Sequence, residues 1–167
     1  MKEFHSLGHF AAHLVLLDAK VALAAHHGLK RVAVAIEKTA KSEFGHYQPA
    51  VGEFSAWAPL AESTVKDRTA KGFAPDDPLL RDGKLLRDSI TNQVEGMEAI
   101  VGSNEDVMVW QELGTEKLPP RAVLGPAAIR NRDLIGRVLG VAVGRAIAGQ
   151  SAIEYGADGA YVALSNQ

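Results

Sequence analysis

The 167-residue chain contains no cysteine. That excludes disulfides, thiolate metal centres and cysteine nucleophiles together. Aromatic residues make up only 6%, so the two tryptophans are conspicuous landmarks. Neither sign of charge predominates. A formal net charge of -2 and a pI near 6.3 leave no basic excess to hold nucleic acid by counterion release. No G-x-S-x-G elbow, Walker-type loop or G-x-G-x-x-G occurs, and there is no internal repeat or low-complexity segment. The apolar run near the amino terminus is interrupted by histidines and Asp18. It falls short of the ~20 apolar residues of a membrane span and lacks a secretory cleavage pattern, which predicts a soluble protein. A hydrophobic content of 47% against 23% charged is that of an ordinary globular protein. The length predicts a single domain over 1–167.

What is present is mostly helical. Leu7, Leu14, Val21, Gly28 and Ala35 recur every seven residues, with Phe10, Leu17, Ala24 and Val32 between them. Such a stripe predicts a long amphipathic helix over residues 3–44. Gly28 is its weak point, since glycine inside a helix costs roughly 1 kcal/mol relative to alanine. The chain could therefore break into two helices there. A helix this long exceeds what a small domain covers, so another subunit is expected to cover part of it.

Prolines and glycines over 45–59 predict a loop, with Pro59 as a first-turn residue of a short charged helix over 60–71. "GFAPDDP" is a further loop, and Leu85, Leu86 and Ile90 mark another short helix. Two β-type runs flanking Gly96 predict a hairpin. The segment 104–114 reads as a short helix or extended stretch ending at Gly114. Residues 128–148 form a strong helix, with Ile129, Leu134, Val138, Leu139, Ala142 and Ile147 in its apolar band. The last residues, 149–167, read as a tail. The fold class expected is α+β: long N-terminal and C-terminal helices packed on a small antiparallel β-sheet, with extended loops.

Candidate chemistry is sparse. His5, His9 and His13 stand at i, i+4 and i+8, a spacing at which two histidines can share a metal ion. The glutamate that follows the first histidine in metalloprotease helices is missing, and Asp18 is a poor third ligand. A polar helix face explains the three more simply. A small metal-binding protein or hydrolase using these histidines remains the alternative. Asp76–Asp77 and Glu105–Asp106 fit solvated turn and cap positions better than paired general acids and bases. No catalytic residue, cofactor or metal is expected. The arginines of the last helix read as its solvated side rather than as nucleic-acid contacts.

Four landmarks occur in order: "WAPLAESTVKDR" at 57–68, "PLLRDGKLLRDSI" at 78–90, "AIVGSNEDVMVWQELGT" at 99–115 and "PPRAVLGPA" at 119–127. Together they resemble the virion-morphogenesis and tail-completion family of tailed bacteriophages, as in Mu-like and long-tailed phages. The resemblance covers roughly residues 54–148. It implies a small α+β subunit forming a ring, expected to be a hexamer, at the head–tail junction or tail end. Implied neighbours are portal, adaptor or head-completion proteins on one side and tail tube or sheath proteins on the other. DNA would pass through without sequence-specific binding, and no membrane is involved. The place implied is the virion neck or tail, assembled in the host bacterial cytoplasm.

Interface candidates on this reading are Trp57, Pro59, Leu60, Trp110, Pro119, Pro120 and Arg121. Trp57 and Pro59 would anchor a helix start, and Trp110 would pack beneath the "LGT" turn. Gly83 and Gly114 are expected to need positive φ. The segment "EKLPPRAV" is expected to protrude, stiffened by its prolines, with Arg121 pairing with a neighbour's carboxylate. An Arg121→Glu change would then block head–tail joining and leave the subunit folded.

Overall fold

A computed structural model describes residues 4–80 and 85–150. The fold is α+β. Its elements are helix α1 (Leu7–Ser42), α2 (Glu62–Ala70), α3 (Leu85–Asp88), strands β1 (Thr91–Glu95) and β2 (Glu98–Gly102), then α4 (Asp106–Leu113), α5 (Leu124–Arg130) and α6 (Arg132–Ile147). The two strands pair with each other in one sheet. Gly83 and the tail from residue 151 onward lie outside the described residues. Contacts group the chain into two compact units. One takes in the chain up to Val32, Val94–Ala99 and the chain from Leu134 on; the other is Ala33–Gln93 with Ile100–Asp133.

In the first unit, α1 runs unbroken through Gly28. A Cβ placed there would stand 2.9 Å from the Leu139 side chain of α6, with Val138 and Ala142 also within contact. The glycine that weakens the helix is what lets α6 approach it, and of the two courses open to the chain there, one continuous helix or two, it takes the first. Ala24, Ala25, Val138 and Ala146 are buried in this unit. At the hairpin's two-residue turn, the Gly96 carbonyl lies 2.8 Å from Nδ1 of His26.

The second unit holds the core. Ala40, Phe44, Trp57, Ile90, Met108, Val123 and Ala127 form one buried cluster, with Ile36, Leu79, Leu80, Leu86, Val101 and Leu124 packed against it. The helix predicted over 128–148 is in fact two helices. Asn131 ends α5, its side-chain amide donating to the Ala127 carbonyl and to Oγ1 of Thr39, each at 2.8 Å. An asparagine bonding its own backbone offers the chain an alternative to continuing the helix. Asn92 donates to Glu37, which also accepts from Lys41 at 2.6 Å. Those two bonds hold the Glu37 carboxyl below the usual carboxylate range, Lys41 first.

Candidate functional site

The second unit contains an open cleft of about 760 Å³, lined by residues of α2, α3 and α4 and by the segments 59–61 and 117–121. Leu60, Leu79, Leu86, Val107, Leu118 and Pro119 make its apolar wall, and Arg68, Glu105, Gln111, Lys117 and Arg121 supply the polar groups. The walls follow from local chemistry. Gly114 closes α4 with φ 75 and ψ 177, a conformation essentially reserved for glycine. A Cβ there would meet the Leu118 carbonyl at 2.9 Å and the Pro120 ring at 3.0 Å. The chain thus doubles back tightly, and the Arg121 amide donates to the Gln111 carbonyl at 2.7 Å.

Opposite, the 57–61 segment is tied to the returning chain. Trp57 is buried, and its indole N–H donates to the Ala122 carbonyl at 2.9 Å. Arg121 is only 4% exposed. Its guanidinium donates to the carbonyls of Ala58, at 3.1 Å from Nη2, and Pro59, at 3.2 Å. Burial lowers its pKa from the ordinary arginine value. Arg68, equally buried, donates from Nε to the Ala74 carbonyl at 2.8 Å and from Nη2 to that of Leu80 at 2.6 Å.

Behind the cleft, Glu112 turns its carboxylate onto α5. One oxygen accepts from the Val123 and Leu124 amides at 2.7 and 3.0 Å, the other from Gly125 at 2.8 Å. These are N–H groups at the start of α5 that lack a partner within the helix. No side chain from Val123, the residue preceding the helix, caps it. Nearby, Glu43 is 2% exposed and accepts from Arg130, while its other carboxylate oxygen has no partner. Burial pushes its pKa up to about 7; Arg130 opposes that shift and the charge of Glu112 adds to it.

The sequence-derived candidates divide. Pro59, Leu60, Pro119 and Arg121 meet at the cleft. Pro120 is exposed and outside its lining. Trp57 belongs to the core. Trp110 does not pack beneath a turn: it is 52% exposed on α4, beside exposed Val109 and Leu113. Pro59 is not a first-turn residue either, because α2 starts at Glu62 after Ala61. Arg121 does not protrude. It holds two carbonyls of its own chain, so Arg121→Glu would place an acid against them and damage the fold.

Arg68, Gln111, Glu112 and Glu43 were not singled out in the sequence. Nothing in their local pattern distinguishes them from solvated polar residues: the partner of Glu43 lies 87 residues away, and those of Arg68 and Glu112 are backbone groups brought round by the intervening turns. His5 lies ahead of the first turn of α1, which breaks the three-histidine stripe. Among the described residues, no three His, Asp or Glu side chains come together as a metal-binding group.

No family model matches the chain, and no curated protein and no solved structure is significantly similar to it.

Proposed function

We propose that this protein is a non-enzymatic structural subunit that assembles with copies of itself into a ring at the head–tail junction of a tailed phage. The observation that carries this reading is the course of the apolar stripe along α1. Where the stripe passes through Ala24, Ala25, Gly28 and Val32 it is buried. Its amino-terminal continuation, Leu7, Phe10 and Leu14, is 86%, 42% and 46% exposed. One continuous helix face is thus half covered by its own chain and half left for something else.

Val109, Trp110 and Leu113 are exposed on α4, a second apolar surface on a different element. Two different surfaces per subunit are what heterologous, ring-closing contacts require. The four ordered landmarks and their phage resemblance supply the setting.

α1 is also long and apolar enough, by length and composition, to cross a membrane, contrary to the expectation from the interrupted run. Only 6% of its most apolar 18-residue window is buried. Asp18 and Lys20 weigh against lipid as the cover, since each costs about 2.5–3.5 kcal/mol at the centre of a membrane helix. A protein partner leaves them at the rim of the contact.

The test is the mass of the native protein in solution, with negative-stain images, beside a Leu14→Glu variant. Wild type is expected at a multiple of 17.8 kDa with ring-shaped particles. The variant is expected as a folded monomer with the circular-dichroism spectrum of the wild type, its association weakened by about 2 kcal/mol or more, roughly thirtyfold. Equal masses for the two at all concentrations, or transfer of wild type to lipid vesicles, would overturn the reading.

A further inference from the structure

The geometry points to a binding site for an extended apolar peptide segment carrying an acidic side chain, seated in the cleft beside α2 and α4 with Arg68 and Arg121 as its counter-charges. Both arginines line this cleft, and each residue is 4% exposed. Buried charges are ordinarily paired with an opposite charge. Here every hydrogen bond from the two side chains runs to a backbone carbonyl: Ala74 and Leu80 for Arg68, Ala58 and Pro59 for Arg121.

Carbonyl dipoles orient a guanidinium without cancelling its charge. Among the described residues, neither arginine has a carboxylate within ion-pair distance. Each uses Nε and Nη2 and keeps Nη1 for a further acceptor, and a planar guanidinium is suited to carboxylate.

The rest of the cleft fits the same ligand. Among the described residues, Lys117 adds a positive charge and Glu105 is the one carboxylate in the lining, so these residues carry a surplus of positive charge. Gln111 also lines the cleft, and a side-chain amide is suited to the backbone N–H and C=O groups of an extended chain. Leu60, Leu86, Val107 and Leu118 offer apolar contact on either side of the charge. The wall is too apolar for a site that recognises phosphate alone. This assignment needs only the cleft, so a chain that remained monomeric would retain it.

The experiment follows the Nε–Hε signals of Arg68 and Arg121 by NMR in the full chain. The probes are the acetylated, amidated tripeptide Leu-Asp-Leu, its Leu-Asn-Leu counterpart and inorganic phosphate. The Asp peptide is expected to shift both signals saturably and to bind about tenfold more tightly than the Asn peptide. Lys117→Glu, an exposed change away from the core, is expected to weaken the Asp peptide about threefold, the scale of a rim charge. Equal affinity of the two peptides, no saturable shift with the Asp peptide, or a response to phosphate alone would overturn the assignment.

Discussion

Glu43 is a carboxyl group whose surroundings favour its proton. Burial raises its pKa to about 7 from 4.5, so the folded protein holds the proton over a window in which the unfolded chain has released it. Below that window both states are protonated and the contribution is complete. It is lost as pH rises toward 7 and levels off above. The wild type is therefore expected to lose about 2–3 kcal/mol relative to Glu43→Gln between these limits. Urea midpoints of the two proteins measured across that range check this; parallel profiles would refute it. Gly114 is the other decisive single residue. Alanine there adopts a backbone region L-residues avoid and drives its Cβ against the Leu118 carbonyl. The expected cost is about 3 kcal/mol, read as a melting temperature lower by roughly 10 °C.

At the scale of elements, the short helix α5 depends on a residue from its neighbour. Glu112 on α4 supplies the acceptors that the residue preceding α5 does not. Glu112→Ala is expected to destabilise the protein by about 2–4 kcal/mol and Glu112→Gln by less, because the amide oxygen still accepts. Hydrogen exchange at Val123, Leu124 and Gly125 should quicken most in the alanine variant. Slow exchange there in both variants would refute the cap. Elements of this kind show where the sequence was legible. The α1 stripe, the hairpin about Gly96 and the end of α4 at Gly114 rest on periodicity and turn chemistry, both of them local. The division at Asn131 and the start of α2 were missed, because an asparagine in an apolar band and a proline before a charged run each fit the helix that does not form. The cleft was half legible. Pro59, Leu60, Pro119 and Arg121 stood out by type and order, whereas Arg68 is held by backbone carbonyls that the following loop brings round to it and Gln111 reads as one more polar residue of a short helix.

At the scale of the whole molecule, the uncovered start of α1 decides between a lone globule and a building block, and the Leu14→Glu mass measurement is its test. With 36 residues at about 1.5 Å rise each, α1 is a rod roughly 54 Å long. The two compact units interleave along the chain, one claiming three stretches and the other two. A single cut in the gene cannot divide them. The piece 33–133 is nevertheless unbroken, carries every residue of the cleft and of the central cluster, and sheds the greasy start of α1 along with α6. Peptide capture and self-association can thus be assigned to different lengths of the same polypeptide, one trimmed and one whole.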